Sequence, residues 1–238
     1  NCSGDVFVTF NASSFKRTDA LGGCYYTIIV DGIQKARDFC HVTATGDTTV
    51  KIAEGLNAGE HTFEIYRQNE IEVATVGIKS ISLSGELLAA PKNKNMYIEF
   101  VGASQWGGYG NLADNSVASS DVPAAYYQDG TNALTYLTAR ELDADWSIVS
   151  VQGIGASWGW QTTSMDTVYQ YLRYNKDKTT LYDFAHQPDY VVIGLGTNDY
   201  NRMAYYNKTT DDLVNSFVNF ISLVREKNPT AKIIWVCN

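Results

Sequence analysis

Histidine and cysteine are scarce in this 238-residue chain, which has three His and four Cys: Cys2, Cys24, Cys40 and Cys237. None of the cysteines stands in a Cys-x-x-Cys spacing and three histidines are too few for an obvious metal cluster, so no zinc site is expected. There is no block of Lys or Arg. With 18 basic against 26 acidic residues and a formal net charge of -8, the chain lacks the footprint of a nucleic-acid or anionic-membrane surface, and a neutral partner is favoured. The longest apolar runs are about six residues, far short of the roughly 18 that span a bilayer. Charged residues make up only 18% of the chain, below the roughly 25% usual in soluble domains, so Ser, Thr, Asn and Tyr must supply much of the polar surface. No internal repeat and no low-complexity tract is present.

The length allows one large domain or two modest ones, and 45% hydrophobic residues suffice for a core. The chain starts at Asn1 without Met or an apolar leader, which suggests a processed or excised segment. The even cysteine count and two sequons, Asn11-Ala12-Ser13 and Asn207-Lys208-Thr209, lead us to expect a secreted, extracellular protein.

Through about residue 90 apolar residues alternate with period two, as at Val6, Val8 and Phe10 and at His61, Phe63 and Ile65. Asp31-Gly32 after Tyr26 to Val30 reads as a hairpin turn, and Gly46-Asp47, Glu54-Gly55 and Ala58-Gly59 read as further turns. Residues 1–91 are therefore expected to form a β-sandwich. From residue 92 to 238 short apolar runs (Met96 to Val101, Ser147 to Val151, Tyr190 to Leu195, Lys232 to Val236) predict strands of a parallel sheet. Helices are expected over Thr131 to Asp143 with Leu134, Leu137 and Leu142 inward, over Ser164 to Leu172, and over Thr210 to Lys227 with Leu213, Phe217, Ile221 and Val224 inward. Alternating strands and helices give an α/β class and a three-layer α/β/α domain with its site at the carboxyl ends of the strands.

The loops at those ends are Gly102-Ala103-Ser104, Gly153-Ile154-Gly155 and Gly196-Thr197-Asn198-Asp199. A glycine lets a backbone N–H approach a ligand, a serine hydroxyl can attack a carbonyl, and an Asn amide can donate to the resulting oxyanion. Ile98 to Ser104 with Gly108-Tyr109-Gly110-Asn111, then Val149 to Gly155, then Val192 to Asp199 resemble the three leading blocks of the SGNH (GDSL-like) hydrolases. Ala53-Glu54-Gly55-Leu56, Gly59-Glu60-His61-Thr62 and Ile65-Tyr66-Arg67 resemble the jelly-roll first domain of carbohydrate esterase family 2 within them. The resemblance implies Ser104 as nucleophile, and the Ser104 N–H, the Gly155 N–H (Gly153 as second choice) and the Asn198 amide as the oxyanion hole. It also implies a serine esterase removing O-acetyl groups from plant cell-wall polysaccharide such as acetylated xylan or mannan through an acetyl-serine intermediate, with no metal or organic cofactor. Trp106, Tyr109, Trp158 and Trp160 are candidates for stacking on sugar rings.

Two departures from the pattern stand out. Ala103 replaces the Asp that usually precedes the serine, and Gln105-Trp106-Gly107 replaces a small, branched segment. The family's Asp-x-x-His block, which supplies the base, would fall beyond Asn238, so the chain is expected to be a truncated piece of a longer enzyme, with a carbohydrate-binding pseudo-esterase as the alternative. His186 precedes the strand at Tyr190, at the amino end of the sheet, and His41 and His61 belong to the sandwich. None is expected within the roughly 3 Å of Ser104 that a base needs.

Overall fold

A computed structural model describes residues 1–173 and 177–236; Cys237 lies outside the described residues. By internal contacts the chain divides into two compact units, one made of Asn1–Lys92 with Gly108–Asn132, the other of Asn93–Gly107 with the chain from Ala133 onward.

The first unit holds two antiparallel sheets. Strands β1 (Cys2–Phe15), β2 (Cys24–Val30), β3 (Ile33–Gln34), β4 (Cys40–Val42), β5 (Gly46–Gly59), β6 (Phe63–Arg67) and β7 (Ala74–Gly85) follow in order. One sheet runs β5-β1-β7; in the other β2 pairs with β3, β4 and β6. Val6, Val8 and Phe10 of β1 and Cys24, Tyr26 and Ile28 of β2 share one core, which is the period-two pattern of the sequence realised as burial. Cys2, Cys24 and Cys40 are free thiols inside it, and burial pushes the Cys24 and Cys40 thiols up, Cys40 to about 12. Asp31 and Gly32 form the expected β2–β3 turn, both with positive φ (49° and 76°). The three turns expected at Gly46, Gly55 and Gly59 are absent, because all three glycines lie in the single 14-residue strand β5. Its pairing with β1 shifts register at several points, so Gly55, with φ 60°, sits where the ladder slips rather than where the chain reverses.

The expected boundary at residue 91 misses the return of Gly108–Asn132 to this unit. Every residue of β2 is buried, so its second face needs a cover. The returning segment supplies it: Thr131 Oγ1 lies 2.7 Å from Thr27 Oγ1, Asn69 Nδ2 donates to the Ala125 carbonyl (2.8 Å), and Gly130 N donates to the Gln68 carbonyl (2.7 Å).

The second unit is built on β8 (Tyr97–Ala103), β9 (Asp145–Val151), β12 (Tyr190–Gly194) and β13 (Lys232–Trp235), all parallel, in the order β13-β12-β8-β9. Ile98 and Phe100 face the buried side of α1 (Leu134–Glu141), while Val101, Val191 and Ile193 face α2 (Met165–Val168) and α4 (Thr210–Lys227), giving one core on each side of the sheet. The exception to the apolar strands is Glu99, only 4% exposed, which accepts a hydrogen bond from the Tyr169 hydroxyl; that oxygen in turn accepts from Asn228 Nδ2 (2.7 Å), and burial pushes the Glu99 carboxyl up.

The helix faces differ from the sequence reading. Leu134, Leu137 and Leu142 are exposed (48, 49 and 51%), whereas Thr135, Tyr136 and Ala139 are buried. Ala139 has no bulk to hold α1 off the sheet, and Thr135 Oγ1 donates to the Trp106 carbonyl (2.7 Å), which turns the leucines outward. In α4 Val224 is buried as expected and Phe217 packs partly buried against the core, but Leu213 and Ile221 are only half-buried, and Ser216 and Phe220 are buried beside them, with Phe220 at the centre of the stripe. The helix expected to run to Leu172 stops at Val168, and Tyr171–Arg173 (β10) pairs antiparallel with Asp177–Leu181 (β11).

The hairpin turn of the first unit carries a pH-sensitive contact. His61 Nε2 lies 2.9 Å from the Asn57 carbonyl and Nδ1 lies 2.7 Å from Asp31 Oδ2. With an oxygen at each ring nitrogen the imidazolium is favoured, the Asn57 carbonyl contributing most and Asp31 next, and the pKa is raised. A raised folded-state pKa gives stability that is complete below the unfolded value of about 6.5 and is lost as pH rises through the folded pKa. His61→Ala should therefore lower the denaturation midpoint more at pH 5 than at pH 8.5; the reverse order in urea titrations would contradict the contact.

Candidate active site

Three loops leave the carboxyl edge of the parallel sheet from the same level. Gly102 pairs with Gly194, and Ala103 with Val151, on strands about 5 Å apart, so the turn at Ser104, the loop at 152–155 and the turn at 196–198 arise side by side. Ser104 is half-buried and opens a single helical turn, Ser104–Gly107. Asn198 lies in the first turn of α3 (Thr197–Arg202), and its Nδ2 donates to the Ile154 carbonyl (2.8 Å). That bond fixes the orientation of the amide and leaves its second hydrogen available.

The same bond separates the two candidate glycines. In a trans peptide the carbonyl and the following N–H point in opposite directions, so the Gly155 N–H faces away from Asn198. Gly155 is also buried, and a Cβ there would stand 2.6 Å from Asp199 Oδ2. Gly153 is half-exposed, with φ 70°, and its carbonyl is anchored by Trp160 N (2.8 Å). The geometry therefore argues against Gly155 as an oxyanion donor and leaves Gly153, the second choice of the sequence reading.

Asp199, quoted in the third block but given no role by the sequence, is fully buried. Its carboxylate accepts backbone N–H bonds from Ala156 (2.8 Å), Ser157 (3.0 Å) and Trp158 (3.3 Å), and its carbonyl accepts from Trp158 Nε1 (2.8 Å). Burial pushes this carboxyl up while the three N–H donors pull it back.

The aromatic candidates separate by exposure. Trp106 is 3% exposed; its indole lies over the backbone of Gly102 and Gly194 and packs with Phe100 and Ala139, so it is a core residue and not a sugar platform. Trp158, 8% exposed, is tied to Asp199 and likewise offers no open face. Tyr109 belongs to the first unit. Trp160 is 62% exposed, with the Arg202 guanidinium 4.4 Å from its ring and 3.9 Å from that of Tyr205. His186 stacks on Tyr97, the first residue of β8, at 4.3 Å; the length of that strand puts it roughly 20 Å from the Ser104 end of the sheet. His41 stacks on Tyr25, and with His61 it belongs to the first unit.

Residues 98–238 match the GDSL-like lipase/acylhydrolase family. The chain belongs to that family. It is 30% identical over 235 residues to the cellulase/esterase CelE of Acetivibrio thermocellus, a match covering 96% of this chain and 28% of that protein. It is 34% identical over 163 residues to an acetylxylan esterase/glucomannan deacetylase of Cellvibrio japonicus, covering 63% of this chain and 44% of that protein. The chain thus spans less than half the length of these curated relatives. Among solved structures, a family two carbohydrate esterase from Clostridium thermocellum in complex with cellohexaose matches with TM-score 0.83 and 28% identity over 100% of this chain and 69% of that one. An acetyl xylan esterase from the rumen bacterium Butyrivibrio proteoclasticus shares the fold, with TM-score 0.81 at 20% identity over 99% of this chain and 70% of that one.

In this GDSL-like chain the glycines paired across β8 and β12 are what admit the indole of Trp106. A Cβ on Gly194 would fall inside the ring, so Gly194→Ala should destabilise the protein by roughly 1–3 kcal/mol, the scale of overpacking a core. Denaturant titration checks this, with Trp106→Leu in the same background recovering part of the loss; an unchanged midpoint in G194A would contradict the packing.

Proposed function

We propose that this chain carries the nucleophile and oxyanion donors of a serine esterase that removes O-acetyl groups from plant cell-wall polysaccharide, acetylated xylan or mannan, through an acetyl-serine intermediate. The observation that carries the reading is the common origin of the Ser104 turn, the Gly153 loop and the Asn198 turn at one edge of the sheet, with Asn198 Nδ2 already oriented by the Ile154 carbonyl. Ser104 Oγ attacks the acetyl carbonyl while its proton passes to a general base of the complete protein. The Ser104 N–H, the Gly153 N–H and the second Asn198 amide hydrogen receive the oxyanion. The sugar oxygen leaves with the base's proton, and water then releases acetate from the serine. The names of the relatives, acetylxylan esterase and glucomannan deacetylase, support the substrate class.

The exposed Trp160 ring, clamped with Arg202 and Tyr205, would hold a flanking sugar by its C–H face. We take the two-sheet first unit as a jelly-roll accessory domain and the protein as secreted. A second reading, a carbohydrate-binding pseudo-esterase on the same fold, is favoured by that aromatic platform and by the cellohexaose bound to a structural neighbour.

Ser104→Ala in the complete protein should lower 4-nitrophenyl acetate hydrolysis by about 10³-fold, and Asn198→Ala should lower kcat by about 10²-fold with little change in KM. Full turnover by S104A would sink the esterase reading, and glycan binding without acetate release by the wild type would favour the second one. Trp160→Ala should raise KM for acetylated xylo-oligosaccharides roughly 2- to 10-fold, the worth of one aromatic stack, and leave 4-nitrophenyl acetate kinetics unchanged. Equal effects on both substrates would remove Trp160 from the glycan site.

A further inference from the structure

Two consecutive side chains of α3 grip the same loop. Asn198 holds the Ile154 carbonyl, and Asp199, the next residue of the helix, holds the N–H groups of Ala156, Ser157 and Trp158. The loop they grip also carries Gly153, and it is tied down on its far side by Met165 N to the Gly155 carbonyl and Asp166 N to the Ala156 carbonyl (both 2.9 Å). A fully buried carboxylate with three backbone donors is a costly arrangement unless every oxygen is satisfied, and here both oxygens are in use. Gly155 has no side chain at the point where one would collide with Asp199 Oδ2, so the loop can sit directly on the carboxylate.

We propose that Asp199 is a positioning residue for the oxyanion hole: its carboxylate fixes the 154–158 loop against α3 and so sets the distance between the Gly153 N–H and the free hydrogen of the Asn198 amide. This rests on the esterase reading above. It also assigns a function to the close packing of Trp158, whose Nε1–H closes the clamp on the Asp199 carbonyl rather than meeting a sugar. Asparagine at 199 would have one acceptor oxygen and an NH2 group, and that NH2 would face at least one of the three N–H donors. The loop would then move away from α3 although the volume at 199 is unchanged.

The test is a kinetic cycle in the complete protein with 4-nitrophenyl acetate, comparing wild type, D199N, N198A and N198A/D199N, with S104A as a reference and melting temperatures throughout. D199N should lower kcat by about 10²-fold with KM within about threefold, the signature of a lost transition-state contact. The double variant should fall no more than about threefold below N198A, because both residues act through one hole. Trp158→Phe, which keeps the ring and removes only its N–H, should show the same split at roughly 3- to 10-fold, the scale of one hydrogen bond, and serves if D199N does not fold. Multiplying effects of N198A and D199N, a D199N kcat within threefold of wild type, or a W158F effect confined to KM would each overturn the proposal. Full activity in S104A would instead overturn the esterase reading and leave the clamp to be judged by the loop amides, whose hydrogen exchange should speed up in D199N if the carboxylate holds them; unchanged exchange would overturn it.

Discussion

Because the indole of Trp106 lies against Gly102 and Gly194, the turn that begins at Ser104 cannot swing away from the sheet without emptying a tryptophan-sized space in the core it shares with Phe100, Ala139 and Ala144. Voids of that size cost about 3–5 kcal/mol, a large part of the net stability of most domains. Thr135 adds a hydrogen bond to the Trp106 carbonyl, which links α1 to the same turn. The serine is thus held from below by packing, while the neighbouring loop is held from the side by α3. Rigid support of this kind lets donors meet developing charge without reorganising.

The class of the second unit was legible because its strands read as short apolar runs, the two central ones, β8 and β12, being the most deeply buried; all four fall within a residue or two of where the sequence puts them. What misled was side-chain identity taken as a proxy for burial. Leucine at 134, 137 and 142 outweighed Ala139 in the sequence, yet the smaller residue is the one that lets a helix lie close to a sheet. The indoles failed in the same manner, since hydrophobicity does not distinguish Trp106, packed over two glycines, from Trp160, which stays exposed with Arg202 over one face. Asp199 left only a faint signal, a second acidic or amide residue directly after Asn198, and its partners are backbone groups that no sequence pattern records.

The choice between Gly153 and Gly155 shows the limit from another side. Both are glycines, two residues apart in one loop, and either could expose an N–H. Only the direction of one peptide, seen in the bond from Asn198 to the Ile154 carbonyl, shows that the Gly155 N–H points away from Asn198.

The return of Gly108–Asn132 to the first unit has a consequence for how the chain is made. Residues 93–107, which include β8 and the serine turn, emerge from the ribosome before the first unit possesses the cover for β2. The first unit gains that cover only once synthesis has passed residue 132, and β8 has no sheet partner until β9 (Asp145–Val151) has followed, so both wait with apolar faces unpaired. Intermediates of that kind are where aggregation competes with folding. The order of synthesis therefore works against independent folding of the two units, and an insertion in 108–132 would disturb the earlier-made unit rather than the one in which it lies by sequence.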